Sequence, residues 1–338
     1  MISDFTTKQS LQSLSQGQPY QTQTAPCPIT PSQIRFVGQV ESLMTRHAAE
    51  GDFHFVLLAL SDGLMFRGKW RAASDELLPR LGDVIHIETE PNGFDLMVNN
   101  LPSVNTANQL AGKACCLIKN WQVIPAPYPL EMLDQLYCIT EQPETLDRLW
   151  GIIQRIPVPI LRSWLSDLFA NTQLSLPFAQ VPASHNHHHS HAGGLLLHSV
   201  ECAEWVEQVA TRTLNPKEAA LSVIAALLHD FGKIETMNEK GFSQFVSHEV
   251  LSLTLLEPSL ITLQAQWPQG AYALRQMLSW STFSEKFPKF PGALLVKMAD
   301  QYSTSLSARN KAFHALPEHY YWARLKTSNS VQMFNRIN

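Results

Sequence analysis

From Ala219 to Leu228 the chain reads Ala-Ala-Leu-Ser-Val-Ile-Ala-Ala-Leu-Leu, and it then meets His229, Asp230, Phe231, Gly232 and Lys233. A run so apolar on every side belongs to a helix with no solvent face. It falls short of the roughly 18 residues that a membrane span needs, so other helices of a globular domain must enclose it. Its polar end is the sharper constraint. An imidazole and a carboxylate carried into a dry environment are costly unless something pairs with them. A divalent cation would satisfy both, because imidazole nitrogen and carboxylate oxygen are its usual donors. Gly232 is expected to close the helix in a left-handed C-cap conformation, and Lys233 to stand one turn further on, within reach of a phosphate.

The rest of the chain divides by pattern. Residues 1–30 hold Gln9, Gln12, Gln16, Gln18, Gln21 and Gln23 among Ser, Thr and Pro, too polar to offset ordering entropy, and read as a flexible tail. Short β-type runs follow, beginning at Ile34, Phe53, Leu64, Val84 and Phe94, with breaks at Ser61-Asp62-Gly63 and Glu90-Pro91-Asn92-Gly93. Five strands within 31–104 predict a small OB-like β-barrel, a fold that commonly holds single strands. Residues 105–130, rich in Asn, Ala and Pro, read as a linker. Beyond Leu130 the apolar spacing is helical, which predicts an all-α domain over 131–325 and a C-terminal tail over 326–338. The fold class expected is therefore α+β multidomain, a barrel followed by a helical bundle.

Composition removes several functional classes. Lys and Arg number 25 against 29 Asp and Glu, a net of −4, so contact with a polyanion has to be local. Within the barrel Arg67, Lys69, Trp70 and Arg71 form such a local cluster. It reads either as a strand-binding face or as core aromatics beside solvated cations. The segment from Glu285 to the C-terminus carries eight Lys or Arg against three acids; it reads as a path for a phosphate backbone or as a solvated helical face. Five cysteines, Cys27, Cys115, Cys116, Cys138 and Cys202, are odd in number, have no C-x-x-C spacing and read as free thiols. The N-terminus lacks the basic and apolar regions of a secretory signal, so a cytoplasmic location without membrane contact is expected. No P-loop and no G-x-S-x-G elbow occurs, which leaves metal-activated water as the attacking group.

Between Pro182 and His198 the sequence PASHNHHHSHAGGLLLH contains His185, His187, His188, His189, His191 and His198. His198 falls on a new amphipathic helix. Asp300, after Ala299 and the apolar Leu294, Leu295, Val296 and Met298, lies near the end of a later one. The set His198, His229-Asp230 and Asp300 resembles the H…HD…D pattern of the HD-domain metal-dependent phosphohydrolase superfamily. Residues 182–199 resemble the HD domain of TraI- or MobH-type conjugative relaxases. The barrel-plus-bundle layout is similar to YhaM-type 3′-to-5′ exoribonucleases. The superfamily resemblance implies an all-α bundle around one or two divalent ions (Mn, Mg or Fe), with His198, His229, Asp230 and Asp300 as ligands. The YhaM-type resemblance adds His248, in Ser247-His248-Glu249, as a further ligand. It also implies a Leu-Ser-His-His stretch, where this chain reads Leu278-Ser279-Trp280-Ser281. One tightly held ion is therefore expected, with any second built from Asp230, His248 and the histidine cluster. Asp230, Lys233 and His188 are the catalytic candidates.

The function expected is a phosphodiesterase acting on single-stranded nucleic acid, the barrel holding the strand and the bundle cutting it. Two alternatives stand beside it: a nucleotide phosphohydrolase, and a non-hydrolytic or relaxase-related accessory of a mobile element.

Overall fold

A computed structural model describes residues 34–49, 51–71, 77–89, 115–124, 128–185, 189–237, 246–281, 286–326 and 331–337. The tail 1–30, the strand expected at 94–98, and His187 and His188 lie outside the described residues.

The β-type runs form strands β1 (Ile34–Arg46), β2 (Phe53–Ala59), β3 (Met65–Arg71) and β4 (Val84–Thr89), with β5 at Cys116–Ile124. They close in the order β1-β2-β3-β5-β4, the last strand pairing back with β1. All pairings are antiparallel except a short parallel contact of β3 with β5, where Gly68 meets Cys116. β1 serves both of its neighbours by shifting register between Val40 and Ser42. The closing strand is a correction, because β5 occupies the stretch expected to be a linker. Cys116 and Ile118 point into the barrel, whereas Lys119, Asn120 and Gln122 face out and interrupt the apolar signal.

Inside the barrel Val40, Val56, Leu58, Phe66, Trp70, Ile85, Ile87, Cys116 and Ile118 make one core. Trp70 is only 4% exposed and tilts against Trp121 at 5.7 Å and His54 at 5.4 Å. It is therefore a core residue rather than a stacking surface, which corrects its place in the expected binding face. Arg67, Lys69 and Arg71 alternate with Phe66 and Trp70 on the other side of β3. Of these Arg71 is exposed, Lys69 half-buried and Arg67 buried, its Nε and Nη1 without hydrogen-bond partners among the described residues. A face offering all four of these side chains to solvent does not form.

The helices are α1 (Leu130–Ile139), α2 (Pro143–Arg155), α3 (Pro159–Ala170), α4 (Thr172–Gln180), α5 (Gly194–Thr213), α6 (Pro216–Leu228), the single turn α7 (Lys233–Thr236), α8 (His248–Gln266), α9 (Pro268–Ser279) and α10 (Gly292–Phe313). The helical region ends in a hairpin, β6 (Trp322–Lys326) and β7 (Val331–Asn335), where helix and then a tail had been expected. Every residue of α6 from Ala219 to Leu228 is buried. None of the described helices is long and apolar enough to cross a membrane.

Barrel and bundle share a core, for Val37, Val84 and Ile124 pack in the same cluster as α1 to α6. Two carboxylates fix the junction. Asp134 on α1 accepts from the Val37 amide at 3.4 Å and from the Ser61 hydroxyl. Asp147 on α2 accepts from the Tyr137 hydroxyl and faces His86 of β4, whose ring stacks on Tyr137 at 4.1 Å. Burial and the Asp147 carboxylate hold the Tyr137 phenol well above its ordinary pKa. Of the described cysteines, Cys115, Cys116 and Cys202 are in no disulfide, whereas Cys138 is disulfide-bonded, against the expectation of thiols throughout.

The burial of Trp70 gives a direct check. Trp70→Ala should cost about 3–5 kcal/mol of stability, whereas Arg71→Ala on the exposed side should stay within about 0.5 kcal/mol. Urea unfolding followed by circular dichroism measures both, and a negligible cost at Trp70 would place that side chain outside the core.

Candidate metal centre

Three helices deliver four ligand candidates to one place, and each does so for a local reason. α6 starts at Pro216, with the Asn215 side chain accepting from the Lys217 and Glu218 amides at 3.1 Å, a cap that satisfies otherwise orphaned donors. It ends at His229, which leaves Asp230 in the following turn. Gly232 does not adopt the expected left-handed cap, having φ −62°. Its small size serves close packing: a Cβ there would lie 2.1 Å from the His248 carbonyl oxygen and 2.5 Å from the Ser252 nitrogen. α8 thereby approaches the turn, and the Ser252 hydroxyl accepts from the Gly232 amide at 2.7 Å. His198 sits fully buried on α5, just past Gly193, whose φ is +74°. Asp300 comes from α10, whose Gly292 passes so close to α6 that a Cβ would strike the Ser222 hydroxyl.

Nε2 of His198 lies 3.4 Å from Asp230 Oδ2 and 3.5 Å from Asp300 Oδ1. Nε2 of His229 lies 3.4 Å and 3.8 Å from the same two oxygens. The four donor atoms all fall within 4.8 Å of one another, the span open to ligands held about 2.0 to 2.4 Å from one ion. Asp230 is shared. Its Oδ2 also takes the Lys233 ammonium at 2.6 Å, and its Oδ1 faces Nε2 of His248 at 3.1 Å. Lys233 is buried and already committed to this carboxylate, while His248 stands 37% exposed at the mouth with Glu249 beside it.

Hydrogen bonds fix the tautomers needed for binding. Nδ1 of His229 donates to the Ala226 carbonyl at 2.8 Å. When the ring is neutral, Nε2 is therefore the lone-pair atom, and among the described residues this buried nitrogen makes no hydrogen bond shorter than its 3.4 Å approach to Asp230. Nδ1 of His198 meets the Ser303 hydroxyl at 3.1 Å, and that hydroxyl donates to Glu201 Oε2 at 3.4 Å. Ser303 therefore accepts from His198, and again Nε2 is the atom left facing the carboxylates, where it could hold a cation. Such outer partners orient metal ligands. Sequence reasoning missed both Ser303 and Glu201, although a signal existed: each lies three residues beyond a ligand, Asp300 or His198, on the same helical face.

Charge agrees with this arrangement. Burial opposes a charged His229, but the Asp230 and Asp300 carboxylates outweigh it and raise its pKa to about 10. Against the same desolvation, the neighbouring imidazoles hold both carboxylates well below their ordinary range. A proton on His229, together with the Lys233 ammonium on Asp230, thus offsets the two carboxylates, a role that a divalent cation could take over from the proton. Cys202 forms an alternative trio with His198 and His229. Its thiol is pushed far upward by burial and by Asp300 and Asp230, so the two carboxylates are the charged donors and we assign the site to them.

The histidine cluster enters through His189. Its backbone is left-handed at φ +46°, its Nε2 pairs with Glu201 Oε2 at 3.2 Å, and its ring lies 5.6 Å from that of His198. Its carbonyl oxygen packs where a Cβ on Gly194 would sit 2.0 Å away. Trp280 packs into the bundle core at the end of α9.

Residues 195–305, about a third of the chain, match the family model of the HD domain, a span holding His198, His229, Asp230, His248 and Asp300. The match points to the metal-dependent hydrolases of that superfamily and agrees with the ligand set above. No curated protein and no solved structure matches the chain.

Binding a cation must expel the proton from His229. Because that group is protonated below about 10, apparent Mn²⁺ affinity should rise by up to about tenfold per pH unit from pH 6 to 9, with proton release seen by titration calorimetry in different buffers. Ser303→Ala should weaken binding by about 10- to 100-fold. A pH-independent affinity unaffected by Ser303→Ala would contradict the ligand assignment.

Proposed function

We propose that the chain is a metal-dependent phosphodiesterase acting on single-stranded nucleic acid, with 3′-to-5′ exonucleolytic cleavage in the manner of the YhaM-type enzymes it resembles. The observation that carries the hydrolytic part is the convergence of two Nε2 lone pairs and two carboxylates on one buried point. When bound, a divalent ion supplies activated water and polarises a phosphoryl oxygen.

The chain's own residues divide the remaining work. His198, His229, Asp230 and Asp300 would hold the ion. Lys233 fixes Asp230 from behind, so its first effect is on the ligand, and its charge reaches substrate phosphate only through that carboxylate or by leaving it. His248, half open to solvent beside Asp230 Oδ1, is the residue best placed to receive a substrate phosphate or a second, weaker ion. In this reading the barrel holds the strand through Lys69 and Arg71, and the protein works in the cytoplasm. A free nucleotide would use the same catalytic residues.

Elemental analysis of protein purified without chelator should give one ion per chain, lost in Asp230→Ala and retained in His248→Ala. A 3′-labelled panel of RNA and DNA strands, set against free nucleotides, should show strand shortening that Asp230→Ala abolishes. Two ions per chain falling to one in His248→Ala would contradict the single-ion reading, and hydrolysis of free nucleotides alone would replace the strand with a nucleotide.

A further inference from the structure

The C-terminal hairpin has no part in the metal centre, yet it is built with care. Two-stranded hairpins are marginal on their own, and this one is fastened at several points. Ala323 and Phe334 bury one face against Phe313 of α10. Arg309 donates to the Asn335 carbonyl at 2.9 Å, and Arg336 to the Tyr320 carbonyl at 2.8 Å, with its guanidinium 4.5 Å from the Phe313 ring. Asp300 lies thirteen residues before the end of α10, so Phe313, against which the hairpin packs, is about 20 Å along the helix from Asp300 at 1.5 Å of rise per residue.

The opposite face is covered by nothing among the described residues. Trp322, Val331 and Met333 are 41%, 59% and 53% exposed, and Tyr321 beside them is exposed too. Arg324 and Lys326 share this face with Trp322, paired across the hairpin with Met333 and Val331. The Arg324 guanidinium lies 5.6 Å from the Trp322 ring. Among the described residues neither cation forms an ion pair with a carboxylate. From residue 301 to the C-terminus the chain has five Lys or Arg and one acid, Glu318, in a protein whose net charge is −4.

An anchored platform of exposed aromatic and thioether surface interleaved with cations matches a polyanion that carries flat rings. We infer that this face of the hairpin is a second seat for single-stranded nucleic acid, with bases stacking on Trp322 and phosphates meeting Arg324 and Lys326. The inference rests on the strand-cleaving reading above and adds where the strand is held away from the cut. An acidic protein face could also meet the two cations but would offer no row of flat rings to Trp322, and the test below separates the two occupants.

The test is fluorescence anisotropy with labelled 20-nucleotide RNA and DNA on the full chain, without divalent metal so that nothing is cleaved. Arg324→Glu with Lys326→Glu should weaken binding at least tenfold and reduce the slope of log affinity against log salt by about 1.4, at roughly 0.7 per phosphate contact. Trp322→Ala should weaken binding with the salt slope retained. All these side chains are exposed, and circular dichroism melting confirms that the variants fold. If both hairpin variants bind like the wild type while Lys69→Glu with Arg71→Glu does not, the hairpin seat is refuted and the strand-cleaving reading survives. If the wild type binds no strand, both fail together. Salt-insensitive self-association abolished by Trp322→Ala would make the face a protein interface and overturn the inference.

Discussion

The arrangement of the bundle follows from a single buried carboxylate. Asp230 is almost wholly removed from water at the end of a helix with no polar side, and an unpaired charge there would cost several kcal/mol. Its two oxygens are instead met by His198, His229, Lys233 and His248, drawn from α5, the end of α6, the α7 turn and the start of α8. Asp300 from α10 joins through the same imidazoles. Glycines 194, 232 and 292 allow the close approaches that bring these elements together. Packing and chemistry are thus one constraint: the helices cannot separate without stranding charges.

Two carboxylates facing two imidazoles are balanced only if positive charge sits among them. The proton held on His229 does so in the metal-free chain, and a divalent cation does so with better geometry for four donors. The Ser303 and Glu201 relay behind His198, and the Ala226 carbonyl behind His229, keep both rings in the tautomer that suits a cation. Lys233 contributes a further buried positive charge and limits how far Asp230 can turn. Asp300 and His248 leave one side of the centre open to solvent, the side from which the proposed hydrolysis would draw its water.

Legibility in the sequence followed the strength of local pattern. The uninterrupted Ala219–Leu228 run announced a central helix, and its polar end announced the site. His198, His229, Asp230 and Asp300 stood out beside apolar helical stripes, and the resemblance to the H…HD…D pattern joined them into one ligand set. Four β-type runs gave the barrel, but β5 was hidden because its apolar residues alternate with Lys119, Asn120 and Gln122 between polar flanks. The facing of Trp70 could not be read, since alternation in β3 divides Phe66 and Trp70 from Arg67, Lys69 and Arg71 without saying which side is wet. Gly232 was given a conformational role when the reason was steric, a contact with α8 that no local pattern encodes. The hairpin at Trp322–Asn335 was lost because its strands are five residues long and only Ala323 and Phe334 are buried.

X-ray absorption at the metal edge of Mn- or Zn-loaded protein tests the central claim most directly, since it reads donor types and distances at the ion itself. The account predicts two imidazole nitrogens together with carboxylate or water oxygens at about 2.0 to 2.2 Å, one imidazole disappearing in His198→Ala. A sulfur shell near about 2.3 Å, placing Cys202 in the coordination sphere, or a shell of oxygens with no imidazole scattering, would contradict it.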